Sequence, residues 1–246
     1  MRIDKLLSNI GYGSRKDVKK LFKDKLVLVN GVAVDNGKFH VDPNKDVIIV
    51  AGEEVHYKEF IYLMMNKPSG VISATEDLRD ETVIDLLEIE DAVYQPFPVG
   101  RLDKDTVGLL LLTNDGQLAH QLLSPKKHVP KTYYAVIDQM VNESDVEAFR
   151  KGVELDDGYV TKPAKLNILK SGEIRSEVEL TITEGKFHQV KRMFESRGKK
   201  VVYLKRLSMG PLRLDEDLNE GEYRELTDEE VEMLKQYQVK NESNEA

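Results

Sequence analysis

The sequence predicts an α+β fold, in which a small N-terminal module of helices and strands precedes a larger domain with a mostly antiparallel sheet and flanking helices. Two observations lead to this class. Apolar residues repeat at helical spacing in the first 25 positions, whereas many short apolar runs follow residue 61. These runs are not separated by regular helices, as the strands of a parallel sheet would be. A chain of 246 residues is long enough for two such domains.

The N-terminal module begins with two predicted helices. Apolar residues at positions 3, 6, 7 and 10 share one helical face, and the Gly-Tyr-Gly segment 11–13 ends that helix. Ser14 is the predicted N-cap of the second helix, because Asp17 follows three residues later. A hairpin comes next, since Asn30-Gly31 separates two apolar runs. A last strand at 47–50 leads into the polar segment 52–59, which we interpret as the linker.

Beyond the linker, the pattern predicts five strands and four helices. The strands span residues 61–65, 109–113, 133–137, 159–169 and 178–182. Three helices span residues 117–123, 143–151 and 188–197, and a fourth begins at the capping box of Thr227 and Glu230. The predicted domains are therefore residues 1–57 and residues 58–238, followed by a disordered acidic tail at 239–246.

Composition excludes several classes of protein. Cysteine is absent, which excludes a disulfide scaffold, a cysteine-ligated metal site and a cysteine nucleophile. The five histidines lack metal-ligand spacing, and no P-loop, nucleophile-elbow or zinc-protease motif occurs. No apolar run approaches the roughly 20 residues of a membrane span, and the N-terminus lacks the apolar region of a secretory signal. We therefore expect a cytoplasmic protein with no metal, no cofactor and no membrane partner.

Charge is unevenly distributed along the chain, whose net charge is −8. Residues 1–50 carry ten Lys and Arg against six Asp and Glu, whereas residues 215–246 carry three against twelve. Residues 186–206 hold eight cations and one anion, Glu195. Such basic segments are typical of a protein that binds a polyanion from one side, although solvated helix faces give the same pattern.

The second predicted helix concentrates positive charge near the N-terminus. Its polar side carries five basic residues: Arg15, Lys16, Lys19, Lys20 and Lys23. The Ser14 hydroxyl and the first backbone amides of the helix would add hydrogen-bond donors for phosphate. Residues 2–22, followed by Val-Leu-Val-Asn-Gly at 27–31, resemble the S4 RNA-binding domain. The resemblance implies RNA contacts by the residues from Ser14 to Lys20 on this face.

A second group of motifs begins with Gly-Arg-Leu-Asp at residues 100–103. Asp103 stands in a loop between a proline-rich segment and a buried apolar strand, where rigid neighbours can fix a carboxylate as a nucleophile or base. An aspartate in a surface turn would give the same local pattern. The segment resembles the G-R-L-D motif of pseudouridine synthases, in the form found in the 16S rRNA type. The resemblance implies that Asp103 is the catalytic aspartate.

Three further segments resemble that family in the same order. Asn-Lys-Pro-Ser-Gly at 66–70 is similar to its N-K-P-x-G strand end, and Lys-Thr-Tyr at 131–133 is similar to its K-x-Y motif. Residues 184–193 are similar to its E-G-x-x-H-Q-V-[KR]-R-M segment. The resemblance implies that Tyr133 packs against the target base and that Lys191 pairs with the catalytic aspartate. Without the resemblance, Tyr133 would be a core residue and Lys191 a solvated one.

The family also implies three supporting positions. Arg192 would contact phosphate, Leu204 would lie against the active site, and Arg101 would fill the base stack that a flipped uridine leaves. The cation at position 191 is Lys where many relatives have Arg. A lysine can hold the charge but lacks the bidentate fork of a guanidinium.

The implied function is isomerisation of uridine to pseudouridine in ribosomal RNA, after the base is flipped out of its stack. Asp103 would either add to ribose C1′ or abstract a ribose proton, and the sequence leaves both routes open. The implied substrate is uridine 516 of 16S rRNA, in free RNA or in a pre-ribosomal small-subunit particle, and we expect a monomer. The alternatives are a sister enzyme acting on 23S rRNA and a non-catalytic S4-type RNA-binding or assembly factor. The intact set of Asp103, Tyr133 and Lys191 argues against the non-catalytic factor.

Overall fold

The computed structural model describes residues 1–43 and 45–243, apart from the side chains of Arg15 and residues 238–243. The chain forms two compact units. The first comprises Met1–Ile61 together with Leu87–Pro96, and the second comprises Tyr62–Leu86 and the chain from Phe97 onward. The segment Leu87–Pro96 therefore packs with the N-terminal unit, although it lies within the range 58–238 that the sequence assigned to the second domain.

The first unit is built from three short helices and a four-stranded antiparallel sheet. Its elements are α1 (Ile3–Asn9), α2 (Arg15–Lys23), β1 (Val27–Val29), β2 (Val32–Ala33), β3 (Ile48–Val50), β4 (Glu53–Val55) and α3 (Ile89–Ala92). The strand order is β2-β1-β3-β4. Apolar residues of α1, α2, β1 and β3 form its core. The two predicted helices and the Asn-Gly hairpin are confirmed.

Strand β4 lies inside the segment 52–59, which the sequence analysis interpreted as a linker, and that interpretation is wrong for residues 53–55. Val50 pairs with Glu53, so β3 and β4 form a hairpin around Ala51 and Gly52. Both turn residues have positive φ, 52° and 92°. This is the backbone geometry of a type I′ turn, which Ala-Gly signals far less clearly than Asn-Gly.

The second unit surrounds a nine-stranded sheet. Its strands are β5 (Tyr62–Lys67), β6 (Phe97–Pro98), β7 (Val107–Thr113), β8 (Lys131–Ile137), β9 (Lys165–Lys170), β10 (Ser176–Ile182), β11 (Val201–Met209), β12 (Leu212–Arg213) and β13 (Tyr223–Glu225). Its helices are α4 (Gly116–Leu123), α5 (Glu143–Lys151), α6 (Gln189–Glu195) and α7 (Asp228–Ser243). The main strand order is β13-β5-β7-β11-β8-β10-β9. Among the described strands, only β7 and β11 pair in parallel, so the predicted α+β class is confirmed.

Several elements differ from the sequence-based prediction, which also omits β6, β12, β13 and α3. Strand β9 begins at residue 165, so the predicted strand 159–169 is wrong for residues 159–164. This segment contains Pro163, which is unfavourable inside a sheet, and the backbone amide of Lys162 donates a hydrogen bond to the Glu184 side chain. Strand β11 was not predicted. Helix α7 continues to Ser243, so the backbone of residues 239–243 is helical where a disordered tail was predicted, and residues 244–246 lie outside the described residues. The Lys, Glu and Gln residues of this segment are good helix formers.

The parallel contact between β7 and β11 brings the loop before β7 beside the centre of the sheet. Gly108 makes the contact possible, because its φ is +102° and a Cβ there would lie 2.3 Å from the carbonyl oxygen of Arg206. No other residue has room at this position. The loop that carries Asp103 is therefore held against strand β11.

Candidate active site

Asp103 lies on the loop between β6 and β7, and polar groups on both sides of it fix the backbone. The Ser73 hydroxyl accepts from the Leu102 amide at 3.0 Å and donates to the Leu102 carbonyl at 3.1 Å. The Gly70 amide donates to the Lys104 carbonyl at 2.8 Å. These bonds immobilise the residues that flank Asp103, which is the support that a catalytic carboxylate requires.

Lys67 supplies a third anchor for the same loop. Its side chain is fully buried, and Nζ donates to the carbonyl oxygens of Pro68 at 2.9 Å, Thr106 at 3.0 Å and Lys104 at 3.4 Å. Burial lowers the pKa of Lys67 to about 8, although nearby carboxylates oppose this shift. The lysine thus acts as a buried donor to the backbone around Asp103.

Lys191, near the start of α6, bridges two carboxylates of the loop. Its Nζ lies 3.0 Å from Asp103 Oδ2 and 2.6 Å from Asp105 Oδ1. Burial opposes the charge of Lys191, but the hydrogen bonds to Asp105 and Asp103 outweigh it and raise the pKa of the ammonium group. Burial likewise opposes the charge of Asp105, and its bond to Lys191 outweighs this and lowers the pKa of its carboxyl. His188 Nε2 lies 3.6 Å from the other oxygen of Asp103.

Buried hydrogen bonds position the turn that leads into α6. Glu184 accepts hydrogen bonds from the Tyr159 hydroxyl at 2.6 Å, the Gln189 side chain at 2.7 Å and the Lys162 amide at 3.0 Å. Burial raises the pKa of the Glu184 carboxyl, but these three bonds outweigh it and the net shift is downward. Because Glu184 and Gln189 flank the turn, this network fixes where Lys191 emerges from the helix.

One face of the sheet forms the opposite wall of the site. Tyr133 on β8 pairs in register with Arg206 on β11, and Ala135 pairs with Leu204. Since side chains alternate along a strand, Lys131, Tyr133, Leu204 and Arg206 share this face. Tyr133 and Leu204 are 8% and 6% exposed, which makes them rigid apolar surfaces.

A cavity of about 310 Å³ joins these two walls. This volume lies at the lower end of the range of ligand pockets, about 300–1,000 Å³. Five residues that the sequence singled out line it together: Arg101, Asp103, Tyr133, Lys191 and Leu204. Arg192 does not line the cavity and instead forms ion pairs with Asp156 and Asp157. A contact between Arg192 and RNA phosphate would have to replace these carboxylates.

The basic helix of the first unit has the surface that the sequence predicts. Lys16, Lys19 and Lys20 are exposed on α2, and the side chain of Arg15 lies outside the described residues. Ser14 forms a reciprocal capping box with Asp17, whose carboxylate accepts from the Ser14 hydroxyl at 2.5 Å. The Ser14 hydroxyl therefore donates to Asp17 in this structure, and a bond from it to RNA phosphate would have to replace this contact.

Within residues 1–43 and 45–243, no helix is both long and apolar enough to cross a membrane. The same residues contain no group of three or more histidine, aspartate or glutamate side chains arranged to hold a metal ion.

Several residues around the cavity received no role in the sequence analysis. They are Lys67, Asp105, Lys131, Glu184, His188 and Arg206. Lys67 is the last residue of β5, after Asn66, and Arg206 lies beside Lys205 in β11, so neither stood out as a lone charge within an apolar strand. Asp105 and His188 gave no signal either, because each stands in a polar segment and reaches Asp103 or Lys191 only through the tertiary fold.

Comparison with known proteins supports the assignment of both units. Residues 61–196 match the family model described as RNA pseudouridylate synthase, and residues 1–47 match the S4 domain. The chain is 56% identical to the "Uncharacterized RNA pseudouridine synthase YtzG" of Bacillus subtilis (strain 168), over 97% of this chain and 100% of that protein. It is 39% identical to the "Ribosomal small subunit pseudouridine synthase A" of Escherichia coli (strain K12), over 94% of this chain and 98% of that protein.

A solved structure agrees with these relatives. The crystal structure of a pseudouridylate synthase superimposes with a TM-score of 0.66 at 38% sequence identity, and the match covers 95% of this chain and 99% of that one. The family model spans more than half of the chain, and the relatives are matched over nearly their whole length. The chain therefore belongs to the RNA pseudouridylate synthase family and carries an S4 domain at its N-terminus.

Proposed function

We propose that the protein converts one uridine of 16S rRNA, uridine 516 in the usual rRNA numbering, to pseudouridine. The observation that supports this function most directly is the ion pair of Asp103 and Lys191, 3.0 Å apart at a cavity that Tyr133 also lines. The ion pair holds the Asp103 carboxylate at the wall of this cavity. The relatives named as acting on the small ribosomal subunit, matched along nearly the full chain, support the choice of 16S rRNA.

The proposed reaction begins when the target uridine leaves its stack and enters the cavity. Unstacking costs roughly a few kcal/mol, and Arg101, exposed at the cavity rim, would fill the gap. Tyr133 would stack on the uracil, and Leu204 would pack against it from the neighbouring strand. The base is then held while its bond to ribose is broken and remade.

Asp103 would act at the ribose, either by adding to C1′ or by abstracting a ribose proton. On either route the bond between C1′ and N1 breaks, the uracil turns within the cavity, and C5 bonds to C1′. The proton on C5 is lost and N1 gains one, so the product is an isomer of the substrate. Tyr133 lines the cavity and, stacked on the base, would take part in this proton transfer.

The first prediction is that Asp103→Asn abolishes pseudouridine formation and leaves RNA binding within about threefold of wild type. The amide keeps the shape of the side chain but can neither add to C1′ nor take a proton. Single-turnover assays on 16S fragments that contain uridine 516, with binding followed in parallel, measure both effects.

A matched 23S fragment serves as the control for substrate choice. Turnover of the 23S fragment alone would reject 16S rRNA as the substrate. Turnover by Asp103→Asn within tenfold of wild type would remove Asp103 from its role. Binding of either RNA without any turnover by the wild-type protein would favour a non-catalytic assembly factor.

A further inference from the structure

Two cations on the sheet face of the cavity, Lys131 and Arg206, have no carboxylate partner among the described residues, whereas Lys191 on the opposite wall has two. Arg206 is 2% exposed, and its Nε donates to the Leu109 carbonyl at 2.8 Å. Its Nη2 is buried and has no hydrogen-bond partner among the described residues. An unsatisfied donor of a charged, buried group is strongly unfavourable, so its retention requires an explanation.

Lys131 lies on the same face, two residues before Tyr133 on β8. Its Nζ donates to the Val129 carbonyl at 3.1 Å. Burial and the charge of Arg206 lower the pKa of Lys131 to about 8, so most molecules carry the cation at neutral pH. Among the described residues, neither Lys131 nor Arg206 forms an ion pair with a carboxylate, whereas Lys191 has two.

The strand register places these two cations beside the residue that would stack on the base. Arg206 is the direct cross-strand neighbour of Tyr133, and both cations line the cavity. Asp103 and Lys191 reach the cavity from a loop and a helix instead. The sheet wall is therefore positive and without counter-ions at the level of the base, while the loop and helix provide the carboxylate that would act on the ribose.

We propose that Lys131 and Arg206 stabilise the negative charge that uracil carries once its bond to ribose is broken. When that bond breaks, its electron pair stays with N1 and spreads over the two ring carbonyl oxygens. The pair is used again when C5 bonds to C1′, and this step makes the ring neutral; C5 then loses its proton and N1 gains one, with no further change of charge. The charge that the cations meet is therefore transient.

This inference rests on the proposed function, because it assigns a role to further residues of the same site. A preorganised cation contributes most to rate when the charge it opposes develops only during the reaction. A carboxylate partner in the resting protein would remove that advantage. Among the described residues, Lys131 and Arg206 have no carboxylate partner and Nη2 of Arg206 has no acceptor, which agrees with a site that stabilises a short-lived anion.

The test compares Lys131→Met, Lys131→Arg and wild type on a 16S fragment at saturating RNA, under single-turnover conditions. Lys165→Met is the control, because Lys165 is exposed on β9, two strands away, and does not line the cavity. Removal of one donor to a developing anion lowers the rate by roughly 100- to 1,000-fold. We expect a loss of this size in Lys131→Met, substantial recovery in Lys131→Arg, no change in Lys165→Met and RNA affinity within about threefold throughout.

A second substrate separates charge stabilisation from a structural role. RNA with 5-fluorouridine at the target releases a uracil whose anion the fluorine already stabilises. The fold loss of rate that Lys131→Met causes should therefore be at least about tenfold smaller with 5-fluorouridine than with uridine. Three results for Lys131→Met would overturn the inference: an equal loss of rate with both substrates, a parallel loss of RNA binding, or conversion of uridine at the wild-type rate. Failure of the wild-type protein to convert uridine would instead reject the proposed function.

Discussion

Asp103 is approached by two basic side chains, Lys191 at 3.0 Å and His188 at 3.6 Å, and one of them also binds a second carboxylate. Lys191 connects Asp103 to Asp105, which is 70% exposed at its side chain. Binding of RNA would remove water from this bridge and strengthen its interactions. The bridge therefore fixes the direction of the Asp103 carboxylate relative to the cavity.

The second prediction separates Lys191 from its neighbour Arg192. The pair of Lys191 and Asp103 is partly exposed in the free protein, and bound RNA would bury it. Loss of one partner of a buried ion pair costs about 3–5 kcal/mol, so Lys191→Met should lower turnover at neutral pH and saturating RNA by at least about 100-fold. Lys191→Arg keeps the charge and should retain much of the activity. Arg192→Met removes the ion pairs with Asp156 and Asp157 and a hydrogen bond to the Phe187 carbonyl, but no contact with Asp103, and should be rescued by higher RNA concentration. The reverse pattern would mean that the catalytic cation is Arg192.

The third prediction concerns the buried Lys67 and the pH dependence of stability. Its pKa is about 8 in the folded protein and 10.5 in the unfolded chain. Between these pH values the unfolded chain holds a proton that the folded protein has released, so raising the pH favours folding. The free energy of unfolding should therefore rise between pH 8 and 10.5 in wild type, relative to Lys67→Met, by of the order of 3 kcal/mol.

Urea unfolding of both proteins at several pH values measures this difference. If the difference in the free energy of unfolding between wild type and Lys67→Met stays constant from pH 8 to 10.5, Lys67 does not titrate in this range. Lys67→Met should also lower turnover, because three carbonyl groups around Asp103 lose their donor.

At the scale of elements, the structure was predictable wherever the sequence carried a local signal. The Ser14 and Asp17 capping box, the Asn-Gly hairpin and the apolar strand before Asn114 all have such signals, and all three elements form. Strand β11 has none, because register shifts at Val201/Tyr203 and Arg206/Ser208 break the alternation of its side chains. It is also the strand that carries Leu204 and Arg206, so half of the sheet wall could not be derived from periodicity.

The candidate site shows the same division between local and tertiary information. Asp103, Tyr133, Lys191 and Leu204 were assigned from motif resemblance, and the structure places all four at one cavity. Lys67 reaches the loop of Asp103 from 36 positions away, and its role depends on the pairing of β5 with β7. Contacts of this kind are set by sheet order, which a single sequence does not specify.

The fourth prediction belongs to helix α2. Its exposed lysines displace counter-ions from RNA when they contact phosphate, so the affinity for RNA should fall steeply as the salt concentration rises. Replacing Lys16, Lys19 and Lys20 with Gln should weaken rRNA binding and reduce the slope of log K against log salt by about 2, at roughly 0.7 per contact on single-stranded RNA. Gln substitutions at Lys165 and Lys170, exposed on β9, provide the control.

An unchanged slope would show that α2 is only a solvated face. We prefer these substitutions to deletion of residues 1–57. The segment Leu87–Pro96 packs within the first unit, and deletion would expose its apolar residues, such as Val93 against Gly11. A deleted protein could therefore lose stability for reasons unrelated to RNA.

At the scale of the whole molecule, net charge alone gives the wrong expectation for a protein that acts on RNA. The chain carries a net charge of −8, yet cations are concentrated on α2 and around the cavity, while the acidic residues crowd the C-terminal end. The two units divide the work in our account. The S4 domain would supply phosphate contacts that carry no sequence information, and the synthase unit would supply the carboxylate that acts on the flipped nucleotide.

The most direct test of the central claim is a map of pseudouridine on all rRNAs from cells that carry either wild-type protein or Asp103→Asn at the native locus. Our account predicts that one pseudouridine, at position 516 of 16S rRNA, is present in wild type and missing in the variant, while every other position is unchanged. Loss of a site in 23S rRNA instead would contradict the proposed substrate. An identical map from both strains would contradict the claim that Asp103 of this protein modifies rRNA.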